Sequence, residues 1–275
     1  MHEKQVKTLE LAGRIQYFTI DHLYQAGIYS SPSKSTARGH LRDLKNYGFL
    51  TESHHGVSAG FGRLPTLYGL TPKAVKYLVD VEAHDIEKIK VSKSQKNQEY
   101  ERRSPRDYFH RVGVLDSVLA CLLLLDKRGV KEDFLELYFR LLGMHQAKRT
   151  AIELEHGRLE PDAILRFKTE EKERFYLIEF YEDTTDQERI RRSIIRHAEA
   201  IHSGAPSIAF GLNIGHRVLM IFRHEHMARS TIKFMNETPE FSDIGDRFLF
   251  KTHESILADA FENWANFRGL ETNID

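Results

Sequence analysis

The strongest constraint on this chain is a pair of apolar runs, "PDAILRF" at 161–167 and "RFYLIEFY" at 174–181, joined by a charged turn. Apolar runs of this length, rich in aromatic and branched residues and bounded by turn signals, read as strands with little exposed surface. Two of them in succession point to neighbouring central strands of a sheet. Yet Glu179 stands inside the second run, and Asp162 opens the first directly after Pro161. A carboxylate in such a place is costly unless it is paired, protonated or bound to a cation.

The flanking pattern supplies the rest of a sheet domain. "FHRVGVLDSVLACLLLLDKRG" gives a helix with Val112, Leu115, Val118, Leu119, Leu122 and Leu123 on its apolar face. "DFLELYFRLLGMH" favours a helix, with a strand as the alternative, and "TAIELEHGRL" reads as strand. "TTDQERIRRSIIRHAEAIHSG" is a helix with Thr184 or Thr185 as N-cap and Gly204 past its end. "PSIAFGLNI", "RVLMIF" and "RFLFKTH" read as strands, "HMARSTIKFMNE" as a helix, and "HESILADAFENWANF" as a closing helix. Helices and strands interleave in this way in α/β domains.

The front of the chain differs. "EKQVKTLELAGRIQ" and "FTIDHLYQAG" are helical, the second capped by Thr19. A third helix follows, capped by Ser33 or Ser35, with Ala37, Leu41 and Leu44 inward and Gly48 at its end. "TESHHGVSAGFGRLPTLYGLT" gives two short strands around a Gly-rich tip, and Thr71 and Pro72 start one more helix. Three helices and a Gly-rich hairpin predict a winged helix-turn-helix, whose third helix enters the DNA major groove. Lys34, Ser35, Thr36, Arg38, His40, Arg42 and Lys45 are its candidate contacts to double-stranded DNA, and Arg63 near the tip is a further one. Charge agrees with this: residues 1–110 carry 17 Lys+Arg against 12 Asp+Glu, and the remainder 23 against 28. The domains expected are therefore a DNA-binding domain at 1–80, a charged linker or exposed helix at 81–108, and the sheet domain at 109–275.

Other chemistry is thin. The single cysteine, Cys121, lies in "VLACLLLL" and reads as inert core, which fits a reducing cytoplasm. The longest uninterrupted apolar run is short of a membrane span, and "MHEKQVKTLE" has no signal-peptide core, so a cytoplasmic protein without membrane contact is expected. His224 and His226 lack a nearby third zinc ligand, His54 and His55 read as loop surface, and His110 either caps the second domain, the reading favoured, or lines its site.

Two acids on adjacent strands can hold Mg²⁺ or Mn²⁺ through oxygens, and the metal can activate water against a phosphodiester. This is the plan of the PD-(D/E)xK nucleases, which the chain resembles in "PD" at 161–162 and in Glu179. Their lysine position is occupied by Tyr181. In element order, from "YGLTPKAV" through "FHRVGVLDSVL", "PDAIL" and "FYLIEF" to "FLFKTHESILADAFENW", the chain resembles the replication-relaxation family of plasmids and conjugative elements. That family is similar to the MobC-type relaxases, which pair a winged helix with a restriction-endonuclease-like domain. The resemblance implies binding to an origin and metal-dependent nicking, with Asp162 and Glu179 as ligands. Relatives place a further acid two residues after the glutamate. This chain has Glu182 one step later, on the other side of a regular strand. The sequence thus leaves two functions open: a nicking enzyme with Asp162, Glu179 and Glu182 as catalytic residues, or a DNA-binding regulator or relaxosome accessory factor on a degenerate nuclease fold. A protein-interaction scaffold is a third reading. Other mobilisation proteins and a second copy of the chain are the expected protein partners.

Overall fold

A computed structural model describes the chain except residues 32, 59, 61, 91–104, 140, 143–146, 183–186 and 275, and except the side chains of 105–107, 141, 142 and 147. The basic "ERRSPR" cluster falls largely outside the described residues, as do Thr184 and Thr185. The chain is a mixed α/β protein that divides into two units, Met1–Leu115 and Asp116–Asp275.

In the first unit, α1 (Glu3–Ile15) starts at His2, whose Nδ1 accepts from the Lys4 N–H at 3.2 Å, while Gln5 Oε1 accepts from the His2 N–H at 3.1 Å. These bonds satisfy amides that a helix start leaves without partners. After β1 (Tyr17–Phe18), α2 (Ile20–Gln25) follows Thr19, whose N–H donates to His22 Nδ1 at 2.9 Å. Helix α3 (Ser35–Asn46) buries Ala37, Leu41 and Leu44. Lys34, not a serine, takes the N-cap position, and Ser33 Oγ accepts the Ser35 N–H at 3.3 Å. The chain leaves α3 through Gly48 at φ +74°, a left-handed conformation that costs a glycine little.

Strand β2 (Leu50–Ser53), the two-residue pair β3 (Val57–Ser58) and β4 (Gly62–Arg63), and β5 (Leu67–Leu70) come next. β5 lies antiparallel between β1 and β2, while β3 and β4 form a separate small hairpin. Helix α4 (Pro72–Asp80) is capped by Thr71, whose Oγ1 accepts the Ala74 N–H at 3.2 Å and donates to the Gly48 carbonyl at 2.7 Å. The cap thus ties the start of α4 to the end of α3. The segment after α4 is not wholly exposed: Ile89 and Lys90 are buried, and the Lys90 N–H donates to the Gly13 carbonyl at 2.7 Å.

Helix α5 (Pro105–Lys127) runs across the division between the units. Val114, Leu115, Val118, Leu119, Cys121, Leu122 and Leu125 are fully buried, whereas Val112 and Leu123 are only half-buried. Among the described residues, its Tyr108–Lys127 stretch is long and apolar enough to cross a membrane by length and composition, and most of that stretch is buried inside the protein.

The second unit is built on seven strands. They are β6 (Glu132–Leu137), β11 (Ala163–Lys168), β12 (Glu173–Tyr181), β13 (Arg217–Phe222), β14 (Phe248–Thr252), β15 (Trp264–Asn266) and β16 (Glu271–Thr272), in the order β16-β15-β14-β13-β12-β11-β6. Between β6 and β11 lie the short pairs β7 (Leu141–Leu142) with β8 (Ala147–Lys148) and β9 (Ile152–Leu154) with β10 (Gly157–Leu159). β11 is antiparallel to both of its neighbours, β6 and β12, and β12, β13 and β14 are parallel. The parallel pairs need crossovers, which α6 (Gln187–Ser203), α7 (Ala205–Ala209) and α8 (Glu225–Glu237) supply.

Side chains alternate between two covered faces. Tyr181, Met220, Phe222 and Phe250 pack with Ile190 and Ile194 of α6 and Met227 and Met235 of α8. On the opposite face, Phe167 stacks on Phe261 with ring centres 5.7 Å apart.

Three elements differ from the sequence reading. Residues 132–137 form strand β6 rather than a helix, because pairing with β11 places Leu135 opposite Leu165 and Leu137 opposite Ala163 inside the core. "PSIAFGLNI" is not a strand. Gly204 turns at φ +65° and Pro206 sits in the first turn of α7, where its missing N–H is no loss. The last helix, α9 (His253–Ala258), is short. Asp259 Oδ1 takes the N–H groups of Phe261 and Glu262 at 2.8 and 2.9 Å, and Trp264 then begins β15.

Candidate functional site

In the first unit the predicted contact residues divide. Ser35, Arg38 and Arg42 are exposed and recur at three and four residues, which sets them on one face of α3; Thr36 is exposed beside them. Lys34 pairs with Asp21, and Lys45 pairs with Glu52 of β2. His40 turns inward: Tyr29 Oη lies 2.9 Å from its Nδ1, and the His2 ring is 4.9 Å away. Burial and then the neighbouring His2 lower its pKa. Arg63 is exposed on β4.

In the second unit the register explains why the two acids meet. β11 and β12 pair Ala163 with Ile178 and Ile164 with Leu177, so one further step sets Asp162 opposite Glu179 on the face that α6 covers. Asp162 and Glu179 are 7% and 8% exposed, so each needs a partner inside the protein. Asp162 Oδ2 accepts the Phe180 N–H at 2.8 Å, and its carbonyl accepts the Tyr138 N–H at 2.8 Å. Glu179 Oε1 lies 2.8 Å from Nε2 of His197, a fully buried residue of α6. Burial pushes the His197 imidazole down to about 3, against an opposing pull from Asp162. The ring is therefore neutral at pH 7, with Nε2–H as the donor to Glu179.

The same face carries further polar groups. Glu136 of β6, opposite Ile164, is buried and accepts from Arg149 Nη1 at 3.1 Å. Tyr181 stacks on Phe222 at 5.1 Å and donates through Oη to Ser193 Oγ of α6 at 2.9 Å. Burial and then Glu179 raise its phenol well above the ordinary value, so it remains a neutral donor. Glu182 lies one residue past β12, half-buried. Lys251 does not stand in for the motif's lysine. Glu179 is level with Met220 and Met220 with Phe250, so Lys251, the next residue of β14, points to the opposite face. There it donates to the carbonyls of Asp259 and Glu262.

The sequence reading had brought Asp162 and Glu179 together but missed His197, Glu136 and Ser193. A signal for His197 existed: Ile190, Ile194, His197 and Ile201 fall at helical spacing, which sets an imidazole in an apolar stripe beside a strand with an unexplained acid. Among the described residues, no three His, Cys, Asp or Glu side chains are arranged to hold a metal ion.

These features define a two-unit α/β chain with an exposed basic helix in one unit and a buried acid–histidine cluster in the other. The profile of the replication-relaxation family matches residues 9–211, and the chain belongs to that family. The matched span runs from α1 through the acid pair and α6 to the end of α7. No curated protein and no solved structure gave a match. Family membership supports a part in the DNA processing of plasmid replication or mobilisation.

Proposed function

We propose that this chain binds a duplex DNA site of a mobile element and assists its processing there without cutting it alone. The observation that carries the reading is the exposed face of α3, where Ser35, Arg38 and Arg42 stand clear of the core formed by Ala37, Leu41 and Leu44. We read α1 to α4 with β2–β5 as a winged helix-turn-helix, with α3 as its groove helix and Arg63 on the hairpin as a backbone contact. His40, held by Tyr29, supports that helix rather than reading bases.

We read the second unit as a PD-(D/E)xK-like domain similar to that of the MobC-type relaxases. The arrangement of its acids does not fit a Mg²⁺ or Mn²⁺ centre. Mg²⁺ is held by as few as one or two carboxylates, with water and phosphate oxygens completing about six ligands, so those carboxylate oxygens must be open to it. Here one oxygen of Asp162 is taken by a backbone amide and one oxygen of Glu179 by His197, and Tyr181 occupies the lysine position. An accessory role beside a separate nicking protein follows from that donor set.

Purified protein incubated with supercoiled plasmid carrying its own element's origin, with Mg²⁺ or with EDTA, tests both parts. The expected result is an electrophoretic shift without open circles, and Arg38→Gln/Arg42→Gln weakens the shift. Metal-dependent open circles that disappear in Asp162→Ala would overturn the accessory reading. Absence of any shift would overturn DNA binding.

A further inference from the structure

We propose that α6 is a second DNA-backbone contact surface, built from Arg189, Arg192 and Arg196. The inference rests on the DNA-binding reading and adds a site in the unit to which that reading gave no DNA contact. Residues 111–275 are acidic overall, with 23 Lys+Arg against 28 Asp+Glu, yet four arginines fall within residues 189–196. All four are exposed. Arg191 is set apart: it lies over the Phe234 ring at 4.8 Å, on the flank that meets α8. The other three follow at intervals of three and four residues and share the flank that carries Ser193. Arg196 makes no side-chain hydrogen bond or ion pair among the described residues. Arg192 donates from Nε to the Glu188 carbonyl of its own helix at 3.4 Å and lies 3.9 Å from the exposed Glu188 carboxylate, contacts worth little in water.

The stripe lies beside the acid cluster. Ser193, between Arg189 and Arg196 on the same flank, accepts from Tyr181, and His197 follows Arg196 directly. Arg189 is near enough to favour the ionised form of the Tyr181 phenol. One side of α6 therefore fastens to the sheet through Glu179 and Tyr181, and an adjacent side offers guanidinium groups to solvent. Its length suits a nucleic-acid strand. Seven residues of helix rise about 10 Å, and a strand of B-DNA carries a phosphate every ~3.4 Å along its axis, so three arginines can meet phosphates of one strand. Arginine's planar fork suits phosphate oxygens, and contacts of this kind hold position without reading sequence.

The test is the salt dependence of full-chain binding to an origin duplex and to a scrambled duplex of equal length. Arg189→Gln/Arg192→Gln/Arg196→Gln is expected to lower the slope of log K against log salt by about 2.7, at ~0.9 for each lost phosphate contact. It weakens both duplexes alike, so the origin-to-scrambled ratio stays at the wild-type value. The triple lysine variant is expected to recover most of the slope. Lys131→Gln/Lys168→Gln/Lys172→Gln removes equal charge from exposed positions at the opposite end of β11 and β12 and is expected to leave the slope unchanged. A wild-type slope in the arginine triple variant, or an equal loss in the lysine control, overturns the α6 surface while DNA binding stands. A wild-type protein with no salt-dependent affinity for either duplex overturns the DNA-binding reading and this inference with it.

Discussion

Helices α3 and α6 carry arginines outward over an apolar underside, and they differ in what that underside contains. α3 rests on Ala37, Leu41 and Leu44, which are all apolar. α6 rests on Ile190, Ile194 and Ala200, with His197 set among them and bonded to Glu179 of the central strand. The first helix is held chiefly by apolar burial, which is indifferent to pH and tolerant of exchange among apolar residues, with the His40–Tyr29 contact and the Lys45–Glu52 pair at its margin. The second is also held by a polar pair inside the core, which adds a geometric requirement and a titration. Its attachment should therefore be more sensitive to acid than that of α3, whose one histidine, His40, is only partly buried.

Acid should separate the two most strongly. His197 and His216 are both buried, and burial holds each imidazole near 3, against 6.5 for an ordinary histidine. A folded-state pKa below the unfolded one means that the unfolded chain takes up protons first. Stability of the second unit is thus full above about pH 6.5 and falls as pH drops toward 3. With both groups contributing, the slope approaches ~2.7 kcal/mol per pH unit. Urea denaturation followed by tryptophan fluorescence of Trp264, from pH 7 to pH 4, measures it. His197→Leu should remove about half of that slope, and an unchanged slope would break the contrast.

Next in size is His197→Ala, which removes a donor from buried Glu179 and opens a cavity. A cost of roughly 3–5 kcal/mol is expected, read from the shift of the urea midpoint at pH 7. Combining His197→Leu with Glu179→Met should recover most of it, since an apolar pair of similar volume needs no partner. Leu41→Ala is the matching change in α3. It should cost about 2–5 kcal/mol through lost burial and cavity alone, and the cost should not vary between pH 5 and 7. Smallest is the pair Arg38→Ala and Arg196→Ala, each expected to change stability by under ~0.5 kcal/mol in thermal unfolding. A larger loss at either position would show that the arginine supports its helix instead of waiting for a ligand.

The contrast also shows what could be read from residues alone. Thr71 with Pro72, the α3 stripe, and the runs of β11, β12 and β13 announced themselves because local pattern and tertiary outcome agree there. The pairing of Asp162 with Glu179 was legible too, because consecutive strands around a tight turn fix their own register. Residues 132–137 misled, since their apolar spacing suits a helix and only the edge of β11 decides otherwise. Residues 205–209 misled because the left-handed turn at Gly204 and Pro206 redirects a segment whose composition suits a strand. What holds Glu179 was hidden for a different reason. His197 follows Glu179 by 18 positions, and no local rule links the two.

The lone cysteine gives the second unit a built-in gauge. Cys121 is wholly buried, and burial pushes its thiol up to about 12. In the folded state it is both hidden from a modifying reagent and protonated, while in the opened chain it reverts to an ordinary reactive thiol. Labelling by a thiol-specific reagent under native conditions therefore counts openings of the core around α5. A mass spectrometer following that single adduct can rank variants by how often the core opens, with no denaturant and no engineered probe.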